Sequence, residues 1–292
     1  MRRHSRRFVI LSVALATTAL LAGCINGPAV LTQHIEARSV AADLQVQFAR
    51  AAEAANRAVM ADTDEASASA ADEARQAVQQ VQGQIDQLQP ILRSLGYSDE
   101  IQALEAFVSR FEEYRRLDDE ILPLAVENTN LKAQRLSFGG AQEAAEAFRR
   151  ALTSNKSSGA KDSCCDEALS AKAVAAVLEI QVIQARHIAE SDEAAMSRME
   201  AQMATLEQTA RSAVGDLKRR MPATEPAVTA ALAALDQFKA ANGEIVALSR
   251  RNSNVRSLAL SLGRKRVVTA ECNDQLRALL EVLDGHRFNA TR

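Results

Sequence analysis

Residues 196–217 read MSRMEAQMATLEQTARSAVGDL, and the spacing of the apolar residues in this stretch decides the fold class. The apolar residues recur after three and four positions over three heptads: Met196, Met199, Met203, Leu206, Ala210, Ala213 and Leu217. This spacing places them on one face of an α-helix that packs in a bundle. The stretch therefore predicts one helix of a helical bundle.

The same helical spacing recurs outside this stretch, and the composition agrees with it. A second seam lies at Val78, Val81, Ile85, Leu88 and Leu92, and a broader stripe runs through Leu104, Phe107, Phe111, Tyr114, Ile121 and Leu124. The 292 residues include no Trp, 11 Gly and 5 Pro. A sandwich or barrel needs many more turn residues, and an α/β fold needs strand runs between its helices. The sequence predicts an all-α fold.

Two short motifs recur in the same order and indicate an internal duplication. Residues 128–139, NTNLKAQRLSFG, match residues 252–263, NSNVRSLALSLG, and ADTDEA at 61–66 matches AESDEA at 189–194. Repetition of this kind is typical of duplicated structural units. We expect a first helical-bundle half over residues 24–155 and a second, homologous half over 164–292. The polar stretch 156–163 is predicted to be a linker between them.

Each half is predicted to contain three long helices and a shorter fourth one. We expect the three long helices at about 30–61, 64–94 and 99–135 in the first half. Their counterparts are expected at about 165–190, 192–220 and 225–261, and the fourth helices begin at Gly140 and Arg264. Pro123 is expected to kink the third helix of the first half. The predicted architecture is one or two elongated antiparallel bundles.

The N-terminal residues have the features of an export signal. Residues 1–7 are basic, residues 8–22 are apolar, and Leu21-Ala22-Gly23-Cys24 follows. The apolar run is shorter than the roughly 20 residues that cross a bilayer as a helix. The four residues resemble the lipobox of bacterial lipoproteins, which implies cleavage after residue 23 and lipidation of Cys24. The alternative is an ordinary signal peptide in which Cys24 occurs by chance.

The lipoprotein interpretation predicts where the protein resides. Acyl chains on Cys24 would anchor it stably, since each buried methylene contributes about 0.8 kcal/mol. The chain after Cys24 would lie in the cell envelope, facing the periplasm. Ile25, rather than Asp, follows the cysteine and favours the outer membrane over the inner one.

The duplicated motifs also suggest a family. Ala-Asp-Thr-Asp-Glu at 61–65 and residues 122–139, LPLAVENTNLKAQRLSFG, resemble the four-helix-bundle ligand-binding domain of methyl-accepting chemotaxis proteins. The resemblance implies a sensory domain that lies outside the membrane and binds small molecules. Members of that family have flanking transmembrane helices and a cytoplasmic part with methylation sites, which this sequence lacks. The resemblance therefore implies the fold and a binding role without a transmitter.

Charge is distributed unevenly along the chain. The formal net charge is −2 despite four arginines in the first seven residues, so the remainder is acidic. An acidic chain argues against nucleic-acid binding, which requires neutralisation of phosphates. Residues 245–270 nevertheless carry six cations and no acidic residue: Arg250, Arg251, Arg256, Arg264, Lys265 and Arg266. These six form a predicted site for an anion or an acidic partner, or else a solvated face near a helix C-terminus.

Other residues with chemical potential have plainer interpretations. His187 and Glu190 lie one turn apart, and the Met196/Met199/Met203 stripe is close in sequence, so metal or haem ligation is a minor alternative. We expect His187 to be structural and the methionines to lie in the core, since no Cys-x-x-Cys-His motif is present. Cys164, Cys165 and Cys272 are expected to be free thiols, with a Cys272 bridge or a vicinal or intermolecular bridge as alternatives.

The sequence thus predicts a binding protein without catalytic activity. It contains no nucleophile elbow, phosphate-binding loop, dinucleotide-binding turn or zinc-binding helix motif. We expect no cofactor, a membrane contact through the lipid, and an unknown small molecule or envelope protein as partner, with a homodimer as a possibility. The alternative is a structural envelope lipoprotein whose bundle is a spacer without a small-molecule ligand.

Overall fold

The computed structural model describes residues 27–153, 163–220 and 225–289. Over these ranges the protein is an all-α helical bundle fold with no β-strand, which confirms the predicted fold class. The predicted signal peptide, Cys24 and most of the predicted linker lie outside the described residues.

Ten α-helices follow one another along the described ranges. In chain order they are α1 (Gly27–Met60), α2 (Asp64–Leu95), α3 (Ser98–Glu127), α4 (Thr129–Leu136), α5 (Gln142–Thr153), α6 (Ser163–Ala189), α7 (Glu193–Arg220), α8 (Glu225–Arg251), α9 (Ser253–Leu260) and α10 (Arg266–Asn289). Short π-helical turns, Ser137–Ala141 and Ser261–Lys265, join α4 to α5 and α9 to α10.

The third helix predicted for each half ends earlier in the structure than the sequence indicated, so the predicted C-terminal ends are wrong. Each one breaks at an asparagine, Asn128 after α3 and Asn252 after α8, whose φ angles are +53° and +55°. This left-handed conformation interrupts a right-handed helix, and asparagine is among the few residues that adopt it readily. Pro123 lies inside α3, five residues before the break. The two α-helices after Asn128 and Asn252 are therefore separate elements.

The first compact unit, unit 1, comprises residues 27–57, 69–119 and 262–289 of the described ranges. Its core is formed by α1, α2, α3 and α10, so it is a four-helix arrangement. Aromatic residues of α1 and α3 pack at its centre, with the Phe48 ring edge-on to those of Phe107 and Tyr114. The contribution of α10 is an apolar stripe of fully buried residues: Val268, Cys272, Leu276, Leu279 and Leu283.

The second compact unit, unit 2, comprises residues 58–68 and 120–261. Its core combines α6, α7 and α8 with the short helix α5, which inserts Phe148 and Leu152. Met199 and Met203 lie in this core, and Met196 is also buried, as predicted for the methionine stripe.

The compact units cut across the predicted halves 24–155 and 164–292. Helix α10 comes from the second half of the sequence, yet its apolar stripe completes the core of unit 1. Helix α5 comes from the first half and completes the core of unit 2. The fourth helices are thus exchanged between the repeats, because each one buries its apolar face against the three long helices of the other repeat.

Within the described ranges, one helical segment, Cys164–Ala189 in α6, is long and apolar enough to cross a membrane. Its inner face packs in the core of unit 2 through Ala173, Val177 and Ile180. The core helix of a soluble bundle has the same composition, so the segment is weak evidence for a membrane span.

Candidate functional site

The predicted lipidation site, Cys24, lies three residues before the start of α1 and outside the described residues. Lipidation of Cys24 stays a prediction from the sequence.

The six predicted anion-binding cations are divided between the two units. In unit 2, the Arg250 guanidinium donates to Glu200 Oε1 over 2.6 Å and to Ser197 Oγ over 2.7 Å. Arg251 is ion-paired with Glu127, and Arg256 is exposed without an ion pair to another described residue. Two of the three cations in this unit are therefore neutralised by the protein itself.

The remaining three cations lie in unit 1. Arg264 Nη2 is 2.5 Å from Glu113 Oε1, and Arg266 is exposed without an ion pair to another described residue. Lys265 is fully buried and paired with Asp118, and its Nζ lies 4.9 Å from the centre of the Tyr114 ring. Lys265 is thus a structural residue. As a site for an external anion, the sequence prediction rests on Arg256 and Arg266.

His187 is the centre of a buried network in unit 2. Its Nδ1 lies 2.5 Å from Ser249 Oγ and its Nε2 lies 2.9 Å from Glu200 Oε1. Arg250, with a smaller contribution from His187, lowers the pKa of Glu200 below its usual range. Since His187 and Ser249 are both fully buried, this serine, histidine and glutamate set joins helices α6, α7 and α8 and offers no accessible nucleophile. His187 is structural, as predicted.

The three described cysteines are free thiols. Cys164 and Cys165 are exposed, whereas Cys272 is fully buried in unit 1. Burial raises the pKa of the Cys272 thiol to about 12, which keeps it protonated and unreactive. Among the described residues no group of three or more His, Cys, Asp and Glu is arranged to hold a metal ion.

The matching Asn-Thr-Asn and Asn-Ser-Asn motifs meet each other in unit 2 and form a network that we term the asparagine joint, residues 128–130 and 252–254. The Thr129 N–H donates to Ser253 Oγ and the Ser253 N–H donates to Thr129 Oγ1, each over 3.0 Å. The Asn130 and Asn254 N–H groups exchange bonds with each other's Oδ1 atoms, each over 3.1 Å. Residues 124 positions apart in the sequence therefore contact one another reciprocally.

The asparagine joint is closed by further amide bonds. Asn130 Nδ2 donates to Asn252 Oδ1 and Asn254 Nδ2 donates to Asn128 Oδ1, each over 2.8 Å. Asn252 Nδ2 donates to the Glu190 carbonyl, and Asn130 Nδ2 also donates to the Ile188 carbonyl. These bonds satisfy most of the polar groups at the points where α3 and α8 break, and Asn128 Nδ2 is the one side-chain nitrogen of the joint that is buried without a hydrogen-bond partner. The joint is therefore a structural element of the fold.

A different polar group, which we term the end cluster, lies at one end of unit 1 and consists of His34, Tyr97, Glu100 and His286. Tyr97 Oη lies 3.2 Å from His34 Nδ1, and the His286 ring stacks on the Tyr97 ring with 4.1 Å between centroids. His286 Nε2 is 2.8 Å from Glu100 Oε1, a distance typical of an ion pair, although the geometry is not that of a hydrogen bond. Helices α1, α3 and α10 and the α2–α3 connection supply these side chains.

The end cluster contains buried polar atoms without hydrogen bonds. Glu100 is fully buried, and neither of its carboxylate oxygens has a hydrogen-bond partner; the same is true of His34 Nε2. Burial and the nearby Arg38 lower the pKa of His34, while burial and Glu100 raise the pKa of Tyr97. At neutral pH Tyr97 therefore keeps its proton, and Tyr97 Oη and His34 Nδ1 share a hydrogen bond whose direction is set by the tautomer of His34.

The end cluster was not predicted from the sequence, because it combines three distant parts of the chain, His34, the pair Tyr97 and Glu100, and His286, which share no motif. The one sequence signal that could have indicated the cluster is the rarity of histidine and tyrosine in this chain. The chain has four histidines and two tyrosines, and two of those histidines and one tyrosine meet here. Buried polar atoms without partners are uncommon in proteins, and they mark a place where a bound group would supply the missing bonds.

Unit 2 has an open surface depression of about 460 Å³ beside the π turn after α4. Phe138 borders it and is 66% exposed, which is unusual for a phenylalanine. Arg135, also in the lining, is held by Asp64 at 2.9 Å. The lining of this depression is less polar than the end cluster. None of its lining residues has a buried polar atom without a hydrogen-bond partner.

The comparisons with known proteins bring no further identification. No protein-family model matches the chain, and no curated protein matches it significantly.

Proposed function

We propose that this protein is a lipid-anchored, extracytoplasmic binding protein of the chemoreceptor sensory type, without a transmitter of its own. The end cluster is the observation that carries the binding role. Neither the buried Glu100 carboxylate nor the buried His34 Nε2 has a hydrogen-bond partner among the described residues, and His286 Nε2 lies 2.8 Å from Glu100 Oε1. A small ligand with a donor or a positive charge for Glu100 and a hydrogen-bonding group for His34 Nε2 would satisfy both.

The lipobox supports the location. Cys24 precedes His34 by ten residues, so the lipid would be attached close in sequence to the end cluster. The envelope location and the role as a binding protein rather than an enzyme follow from the sequence patterns. A signal from the bound state would pass to another envelope protein.

A thermal-shift screen tests the binding role. We expect a saturable rise in melting temperature with one ligand of a metabolite panel, since a ligand that binds only the folded state stabilises it. Glu100→Gln should abolish the shift, and Glu105→Gln, an exposed glutamate on the same helix α3, should preserve it. A ligand whose shift survives Glu100→Gln would place the site elsewhere.

The second candidate is a structural envelope lipoprotein, and the asparagine joint favours it. The reciprocal bonds of this joint make part of the fold rigid without any ligand. A spacer should show no saturable shift with any member of the panel. That result would remove the binding role and leave the spacer.

Substitution of the predicted lipidated residue tests the anchor independently. Cys24→Ala should release the chain from the membrane fraction or stop its processing, because the acyl chains would have no attachment site. Cys165→Ala, at an exposed cysteine of α6, is the control and should remain in the membrane fraction. Normal maturation and retention of Cys24→Ala would contradict the lipid anchor while leaving the binding role open to the screen.

A further inference from the structure

Helix α6 has an exposed apolar face, which we term the α6 seam. Its residues are spaced alternately by four and three positions, and all are exposed: Cys164, Ala168, Ala171, Ala175, Leu178, Val182, Ala185 and Ala189. Leu178 and Val182 are 49% and 64% exposed. This is the spacing with which one helix faces another in a coiled coil. We propose that the α6 seam packs against the α6 seam of a second copy, with the two helices antiparallel.

The α6 seam is additional to the packing of unit 2. The opposite face of α6 already lies in the core through Val177, Ile180 and Ile183. Helix α6 therefore has two apolar faces, and only one of them is covered by other described residues. Lys172, Glu179 and Arg186 border the exposed seam, and charges at the middle of a helix oppose insertion into a bilayer. A protein helix that supplies opposite charges is therefore the better cover.

The sizes of the seam residues favour the antiparallel arrangement. When Ala175 faces Leu178 of the second copy, Ala171 faces Val182 of the second copy, and the symmetric pairs form at the same time. Each large side chain then meets a small one, so the distance between the helix axes is even along the seam. A parallel pair would place Leu178 against Leu178 and Ala171 against Ala171, and its spacing would be uneven.

The bordering charges agree with the same register. Lys172 and Glu179 are exposed and form no ion pair with another described residue. In the antiparallel register, Lys172 of each copy lies beside Glu179 of the other, which gives two equivalent ion pairs. If the chain is lipid-anchored as proposed above, confinement to one membrane raises the effective concentration of the copies and favours association further.

The first test introduces a charge into the α6 seam of the full chain, purified in mild detergent. Val182→Glu should weaken self-association by about tenfold or more, because two carboxylates per dimer would face apolar side chains. Val46→Glu is the matched control: Val46 lies on α1 of unit 1 and is 62% exposed. It should leave the dissociation constant unchanged, as measured by sedimentation equilibrium. Circular dichroism checks that both variants remain helical.

A monomeric wild-type chain would overturn the proposal. If Val182→Glu in that case lowers the amount of bound detergent, the seam contacts the membrane instead. If Val46→Glu disrupts the dimer and Val182→Glu does not, the interface lies on α1, which also overturns the proposal. Neither outcome bears on the ligand screen at the end cluster, so the two proposals fail separately.

A charge exchange tests the register. Lys172→Glu should weaken the dimer by placing two glutamates together, and the double variant Lys172→Glu/Glu179→Lys should restore it. In a parallel pair, Lys172 would instead approach Glu167 of the second copy, and the exchange at Glu179 would not restore association. Failure of the double variant to rescue the dimer therefore contradicts the antiparallel register.

Disulfide cross-linking tests the direction of the helices. In the antiparallel register Cys164 faces Ala189 of the second copy. The variant Cys165→Ser/Ala189→Cys should form a covalent dimer when oxidised with copper phenanthroline, since facing seam positions lie within disulfide reach. Cys165→Ser alone should stay non-covalent. A covalent dimer through Cys164 in that control would show parallel helices and overturn the arrangement.

Discussion

Units 1 and 2 fill equivalent positions with different chemistry. Asp118 in unit 1 and Asn242 in unit 2 are 124 residues apart, the same separation as the reciprocal pairs of the asparagine joint. Asp118 is paired with Lys265, whereas the corresponding Asn242 accepts a 2.7 Å hydrogen bond from Gln184. The position of Lys265 is occupied in unit 2 by the buried Ala141. One unit thus buries an ion pair where the other has a hydrogen bond between neutral amides, the buried Gln184 and the half-buried Asn242.

The difference between the units bears on two opposing effects in the core, the desolvation of buried charges and the attraction between them. Burial raises the pKa of Asp118 even though Lys265 acts to lower it. Burial likewise lowers the pKa of Lys265, against the opposing effect of Asp118. Each charge therefore costs more in desolvation than its partner returns, as is common for buried pairs. Unit 2, which has Asn242 and Ala141 at these positions, avoids this cost.

The largest expected effect comes from breaking the ion pair on one side. Lys265→Met should destabilise the protein by about 3–5 kcal/mol, because Asp118 would remain buried without a counter-charge. Asp118→Asn/Lys265→Met should be close to the wild type in stability, since no charge remains buried. Urea unfolding of the full chain measures both free energies. A double variant as unstable as the single one would show that the pair itself contributes the stability.

The next effect distinguishes the asparagine joint from ordinary surface hydrogen bonds. Thr129→Ala and Ser253→Ala should each lower the free energy of unfolding by about 1–3 kcal/mol. Each change removes the hydroxyl that accepts a hydrogen bond from the buried backbone N–H of the other residue. The double variant should cost less than the sum, since the two side chains share the same bonds. Thr205→Ala, an exposed threonine bonded to the Ala201 carbonyl, is the control. Equal and additive losses at all three sites would contradict a coupled joint.

The sequence predicted the fold well and the candidate site poorly, for a physical reason. Apolar spacing reports which face of a helix is buried, so the helices around Met203 and Leu88 were predicted from local pattern. The exchange of α5 and α10 depends on which of two similar cores accepts Phe148 or Cys272, and local spacing does not encode that choice. The end cluster depends on the same long-range packing, because His286 reaches Glu100 only when α10 joins unit 1.

A smaller effect is the pH dependence of stability that the end cluster of unit 1 should cause. Burial lowers the pKa of His34 below 6.5, so below that pH the unfolded chain binds a proton more readily than the folded one. Stability should therefore fall as the pH decreases from 7.5 to 5.5, with a slope of at most about 1.4 kcal/mol per pH unit for one proton. His34→Gln should make this slope shallower. An unchanged slope would mean that His34 does not resist protonation in the fold.

The smallest effect concerns the basic residues after α8, where paired and unpaired cations can be compared within unit 2. Arg256→Gln should change stability by no more than about 0.5 kcal/mol, since Arg256 is exposed and has no ion pair to another described residue. Arg250→Gln should lower the melting temperature more, because the Arg250 guanidinium bonds Glu200, which also contacts His187. Differential scanning fluorimetry of both variants, at low and high salt, measures the difference.

The same two variants decide whether the basic stretch serves as an anion site. If Arg256 holds an anionic surface, binding to vesicles that contain anionic lipid should weaken with Arg256→Gln and with rising salt, since exposed charges are screened beyond about 8–10 Å. Arg250→Gln should affect this binding little, because Glu200 already neutralises Arg250. Vesicle binding that responds to neither Arg256→Gln nor salt would leave Arg256 as part of a solvated face, while Arg250 and Arg251 pair with Glu200 and Glu127.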